Sequence, residues 1–347
     1  MKFRICNLYI LLYFLLVACT KNLNSPIEHF IKEPVEKLYP KKVIDLFEFG
    51  ILRPFEIIKV NDNTFLIQDF KDENIFNLIN FSSRKIMSGG KKGQGPNEVL
   101  APPILQFRGK KILTYDSLKK TMYEVTISSD STLSLMEFFR IDTDVQILFM
   151  VNQLDSTFIA TGLFGDYWLA EMNKEGKIFS TIDFPKWEQT NRIPKTAISM
   201  LYTNSRMANS PDNKRIVVVT HNQGVISFLY RTDSGIKEYK QIKYYPPIYK
   251  VTERGGVAYS RDNIEGFIAV VCDDNYIYTI YSGRTINSHG GMGSAYCENL
   301  LVYDWEGNPV KRYLLEIPIF RMSYDKEKNR IYGLGENPEG VLVVYQL

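Results

Sequence analysis

From Val43 onward the chain alternates short apolar runs with polar turns. Runs rich in Ile, Val, Phe and Tyr fall at 64–70, 74–81, 111–116, 121–127, 157–164, 215–220, 224–231, 266–273, 276–282, 300–305, 330–335 and 341–347, separated by Asn, Asp, Gly and Ser clusters. No window keeps apolar residues at i, i+3, i+4, i+7 over three turns, so the pattern predicts an all-β chain almost without helix. Many runs, such as RIVVVT (215–220), are apolar at nearly every position, which fits strands covered on both faces. NKEGKI (173–178) and DWEGNPV (304–310) share an Asp/Asn-x-Glu-Gly turn before a strand, the glycine supplying φ > 0 and the Asp or Asn capping the turn. TDSGI (232–236) is a shorter relative.

Comparable strands start near Phe65, Ile112, Phe158, Ile216, Phe267 and Ile331, a loose period of about 50 residues. With several strands per period, that is the size of a propeller blade, and six such units fit the length. The chain ends in the strand VLVVYQL, and a propeller hides its edges by completing one blade from both termini. KVIDLFEF (42–49) is the expected N-terminal contribution. A propeller also avoids the size limit on a single core by building small cores between blades. A sandwich is unusual at this length, and an outer-membrane barrel needs longer strands that alternate apolar-out.

The N-terminus carries a different signal. Lys2 and Arg4 precede an apolar run from Leu8 to Ala18, long enough for a signal-peptide core and too short to cross a membrane. It ends in Leu16-Val17-Ala18-Cys19, which resembles the lipobox of bacterial lipoproteins. In that family the peptide is cut before the cysteine, which takes lipid on its sulfur. The expected organisation is a signal over 1–18, Cys19 as the lipid attachment site, a polar, proline-punctuated tether over 19–41, and a six-bladed propeller over 42–347. The membrane is then engaged through the lipid alone. The full chain has 42 basic and 39 acidic residues; losing Lys2 and Arg4 leaves 40 against 39, or +1. So small an excess excludes a nucleic-acid partner, and pairs such as Lys119-Lys120 read as solvated turn residues.

SGGKKGQGPNEV (88–99) mimics a phosphate loop but fails its requirements. Pro96 and Asn97 stand where a P-loop has Lys and Ser/Thr, and the prolines of APPILQF rule out a following helix. The stretch resembles instead the loop G-x-G-P-x-E-[F/V] of the TolB-like six-bladed propeller lipoproteins of Gram-negative bacteria. Gly93, Gly95, Pro96, Glu98 and Val99 match it, and Asn97 departs from it where a second glycine is frequent. The likeness runs on through the lipobox, FLIQDF before the loop, and the closing YDWEGNPVKRYLL, YGLG and VLVVYQL. It implies a six-bladed propeller in the cell envelope and no particular enzyme activity. The loop itself reads as structural: Gly93 and Gly95 allow tight backbone, Pro96 stiffens it, and Glu98 accepts backbone N–H groups.

Candidate chemistry is sparse. An Arg followed by a polar turn and a β run recurs at Arg206 and Arg321, with a looser copy at Arg53. Facing a channel, the three guanidiniums would suit a carboxylate or phosphate; otherwise each staples one blade to the next. GRTINSHGGMGSAYCEN (283–299) is the longest stretch without a β pattern, its glycines predicting a flexible loop in which His289 and Tyr296 are candidate ligand contacts. Cys272 and Cys297 are free to pair in an oxidising envelope, or to act as small buried hydrophobes. Asp273-Asp274 lies in a hairpin-like CDDNY and lacks the further oxygen ligands of a calcium site. No Cys/His cluster suggests a metal, no cofactor motif is present, and no nucleophile–base set assigns a catalytic residue. The expected function is a non-catalytic envelope lipoprotein whose propeller binds a protein or glycan. The alternative is a propeller lyase or hydrolase acting on polysaccharide at the channel mouth.

Overall fold

The computed structural model describes residues 25–347 except 70, 72, 101–103, 109–110, 128–131, 155, 189–192 and 337–338, and leaves the side chains of 108 and 149–154 aside. The signal over 1–18 and Cys19 lie outside the described residues. Six antiparallel blades follow in order. Blade 1 is Pro54–Lys59, Thr64–Asp69, Asn74–Asn80 and Lys85–Lys91; blade 2 is Ile104–Arg108, Lys111–Asp116, Thr121–Ile127 and Leu133–Arg140. Blade 3 is Ile147–Leu154, Thr157–Gly162, Leu169–Asn173 and Ile178–Ile182; blade 4 is Ser205–Asn209, Arg215–Thr220, Val225–Thr232 and Gly235–Lys243. Blade 5 is Phe267–Cys272, Tyr276–Tyr281, Cys297–Asp304 and the first half of the long strand Pro309–Asp325. The second half of that strand starts blade 6, continued by Arg330–Glu336 and Gly340–Gln346. Lys42–Asp45 pairs antiparallel with Val341–Val344 and closes blade 6, as the edge-hiding argument predicts.

The cores lie between blades. Ile216 and Val218 pack toward blade 3, while Val217 and Val219 pack toward blade 5 with Phe267, Ile277 and Leu301. Alternation sends successive side chains to opposite faces, and both faces are covered, which is why these strands read as unbroken apolar runs. The predicted turns hold: Gly176 and Gly307 have φ of 77° and 72°. Asn173 Oδ1 accepts from Lys177 N at 2.9 Å, and Asp304 Oδ1 accepts from Asn308 N at 2.7 Å.

Three expectations are corrected. Five of the six period markers sit on second strands, but Phe267 is on the innermost strand of blade 5, whose second strand starts at Tyr276. The inner strand FIAVVC is as apolar as a second strand, so sequence alone does not separate them. Helix is not quite absent, because Lys195–Tyr202 forms two turns between blades 3 and 4, burying Ala197, Leu201 and Tyr202. Eight residues are too few to show a periodicity.

The third correction concerns the tether. Pro26–His29 is a helical turn capped by Ser25, and Phe30 is fully buried among blade 4 and 5 residues, edge-on to Tyr303 at 4.9 Å. Val35–Leu38 then pairs parallel with Arg312–Leu315. Residues 26–38 are therefore part of the folded body. His29 Nδ1 lies 2.8 Å from the Tyr244 hydroxyl, which lies 3.0 Å from that of Tyr303. Burial, aided by Lys240 and opposed by Glu33, holds His29 below the usual 6.5. The fold thus favours neutral imidazole, while the unfolded chain takes up a proton as pH falls through about 6.5. His29 supports the fold fully above that value and loses its contribution below it. Thermal melts from pH 7.5 to 5 should show the wild type falling relative to His29→Gln only on the acid side. Parallel curves would refute this.

Candidate functional site

Ladder register identifies the residues that meet at the axis. Arg206 pairs with Val219 and Arg321 with Leu334, each partner three residues into its second strand from Ile216 and Ile331. In blade 1 the residue three beyond Phe65 is Gln68, and its partner is Glu56. Applied to blades 2, 3 and 5, the same rule gives Ile104, Phe149 and Ala269. One layer of inner-strand positions therefore reads Glu56, Ile104, Phe149, Arg206, Ala269, Arg321. Arg53 is not in it: its side chain is exposed, and its backbone N–H donates to Asp69 Oδ1 at 3.1 Å. A register shift between Pro54 and Glu56 displaces the expected repeat.

The charged members converge. Glu56 Oε1 accepts from Arg321 Nε at 2.7 Å and lies 3.0 Å from Arg206 Nη2. The first contact joins blades 6 and 1, and the second spans the axis from blade 4. All three side chains are only 10–12% exposed. Arg321 also donates to the Phe320 carbonyl at 2.7 Å and lies over the Phe55 ring. Burial pulls Arg206 down to about 10, with the neighbouring Arg321 adding to the drop and Glu56 opposing it. A cavity of about 500 Å³ begins at this triad and runs toward the C-terminal ends of the inner strands, past Ile58, Gln106, Asn209 and Ser323.

Other predicted residues lie elsewhere. His289 is exposed at the end of the turn Ile286–His289, its Nδ1 2.7 Å from Ser288 Oγ. Tyr296 packs edge-on against Phe320 at 5.2 Å, and burial, with Glu336 beside it, pushes its hydroxyl up to about 12. The 283–299 segment is pinned rather than flexible: Thr285 and Ser288 form a capping box, Ser282 bonds the Ser294 carbonyl, and Arg284 reaches Glu298 and the Gly293 carbonyl. Cys272 and Cys297 are free thiols. Cys272 pairs across Ile277 with Tyr303, six residues along the strand from Cys297. That separation is about 20 Å at 3.3 Å per residue, far beyond disulfide reach. Burial pushes both thiols up, so they behave as small hydrophobes. Asp273 Oδ1 caps the turn by accepting from Asn275 N and Tyr276 N, while Oδ2 accepts from the Tyr278 and Tyr324 hydroxyls. Among the described residues no three His, Cys, Asp or Glu side chains gather as a metal set.

The Gly-Pro loop is held from within. Glu98 Oε2 accepts from Gly95 N at 2.8 Å and sits where side chains at Gly93 or Gly95 would collide with it. Asn97 has φ of 61°, the left-handed region that glycine favours and asparagine tolerates, which accounts for the glycine frequent there in the resembling loop. Lys119, expected to be solvated, instead donates to the carbonyls of Gly95 and Glu98 at 2.9 and 2.7 Å.

Sequence reasoning missed one constellation. His221 Nδ1 is 2.6 Å from the Asn204 amide, and its Nε2 faces the Glu265 carboxylate. The pair bridges blades 4 and 5, with 20% and 12% of the two side chains exposed. A His between a carboxylate and an amide is an acid–base unit, yet among the described residues no hydroxyl or thiol bonds to it. Its members are spread over 62 positions of sequence, from Asn204 to Glu265, with no motif joining them.

With the geometry established, the comparisons can be placed. The TolB-like 6-blade propeller-like family matches residues 29–327. No curated protein matches the chain by sequence. Among solved structures, a putative exported protein of Bacteroides fragilis is 12% identical with a TM-score of 0.51, covering 90% of this chain and 98% of its own. A DUF4221-family member from Bacteroides vulgatus is 10% identical with a TM-score of 0.51, covering 89% and 97%. A calcium-binding protein, regucalcin, from Agrobacterium tumefaciens is 11% identical with a TM-score of 0.50, covering 90% and 95%. Likeness at such identities speaks for the fold.

Proposed function

The chain belongs to the TolB-like six-bladed propeller family, and from that premise we propose that it is a non-catalytic binding protein of the cell envelope, anchored through lipid on Cys19, whose channel holds a glycan. The observation that carries this reading is the axial cavity of about 500 Å³, a volume within the usual range for small-ligand sites. Its charged lining residues among those described, Glu56, Arg206 and Arg321, are bonded to one another rather than arranged as nucleophile and base. A cavity of that size suits a sugar residue better than a protein surface, which would need a broad face. The envelope location rests on the apolar run and on Leu16-Val17-Ala18-Cys19.

The runner-up, an enzyme acting on polysaccharide, now draws on the His221–Glu265 pair rather than on His289. Equilibrium dialysis of the full-length protein against neutral and acidic oligosaccharides, with mass spectrometry of what is retained, separates the two. Retention of unaltered sugar is the expected result. Shortened or unsaturated products that disappear in His221→Ala would replace the binding reading with the enzymatic one. Retention of nothing would overturn both.

A further inference from the structure

We propose that the glycan held in the channel is an acidic sugar, a uronic acid, whose carboxylate is received by Arg206 and Arg321. This rests on the channel being a glycan site. The argument starts from charge. Among the described residues lining the cavity, only Glu56, Arg206 and Arg321 are charged, so the layer carries +1. An excess charge withdrawn from water is costly unless a counter-charge enters with it. Burial already pulls Arg206 down to about 10 even with Glu56 3.0 Å away. One bound monoanion brings the layer to neutrality; a sugar phosphate, with nearly two charges, would carry it past neutral.

Geometry selects the carboxylate further. Both guanidiniums are fixed by Glu56 Oε1, and Arg321 is held as well by the Phe320 carbonyl and the Phe55 ring. A planar fork held in place matches the two oxygens of a carboxylate, which a lysine ammonium does not. Two residues further along five of the six inner strands lie Ile58, Gln106, Ala208, Val271 and Ser323, all lining the cavity. An amide and a hydroxyl among small apolar side chains suit the mixed polar and apolar faces of a sugar ring. A fatty acid would set methylene in place of water against the Gln106 amide and against the Ser323 hydroxyl, which already accepts from Lys59 N at 3.1 Å.

Calorimetric titration of the full-length protein with glucuronate, glucose and glucose 6-phosphate tests the proposal. Glucuronate should bind at least about tenfold more tightly than glucose and weaken as salt is raised. Arg321→Met should lose that preference. Glu56→Gln, which raises the layer to +2, should tighten glucuronate and admit the phosphate. Equal binding of glucose and glucuronate would overturn the proposal while leaving the glycan reading intact. A preference for the phosphate in the wild type would overturn the charge-balance argument and the proposal with it. Binding of no sugar would remove the glycan reading itself. The wild-type comparison decides even where a variant fails to fold.

Discussion

Glu56→Gln is expected to destabilise the propeller by about 3 kcal/mol, the lower end for breaking a buried ion pair from one side. Two guanidiniums, each about nine-tenths buried, share a single carboxylate oxygen. The amide oxygen still accepts a hydrogen bond, but the charge that offsets the desolvation of Arg206 and Arg321 is gone. The contacts join blade 1 to blades 4 and 6, so the loss is felt across the ring. Urea unfolding should show a lower midpoint at unchanged slope, because the surface exposed on unfolding is the same. Arg53→Gln is the matched control; that side chain is exposed, and the change should stay within about 0.5 kcal/mol. If both variants unfold like the wild type, the triad contributes nothing to the fold. Glucuronate added to Glu56→Gln should recover part of the lost midpoint, since a ligand that binds only the folded state stabilises it.

Phe30→Ala is expected to cost about 4 kcal/mol, the range for deleting a fully buried ring. Phe30 has no exposed surface and packs on Tyr303 within the core that also holds Val217, Phe228 and Trp305. The neighbouring Ile31 is 78% exposed, and Ile31→Ala should be nearly silent. A tether would give two silent substitutions. A clasp gives one large effect beside one null, and thermal unfolding of the two variants reads the difference directly. The polar composition of 19–41 hides the clasp, because Phe30 stands among charged residues with no period around it. The strand Val35–Leu38 is also short, with three of its four residues exposed.

The sequence by itself determined what depends on near neighbours along the chain. It carries the strands, as unbroken apolar runs; the turns, through Gly176 and Gly307 and their capping Asn173 and Asp304; and the internal support of the Gly-Pro loop by Glu98. The six-fold repeat and the closing strand Lys42–Asp45 follow from the same signals, because each blade is a local unit and only its edge needs a distant partner. The tertiary structure decided what depends on register between strands and on packing between blades. The irregularity between Pro54 and Glu56 puts a carboxylate, not Arg53, in the layer shared with Arg206 and Arg321. Cys272 and Cys297 share blade 5 but stand at opposite ends of its strands, and the junction of blades 4 and 5 brings His221 to Glu265. Side-chain direction along a strand reverses with every residue, so a one-residue irregularity changes what reaches the axis, and closure of the ring fixes where that irregularity falls.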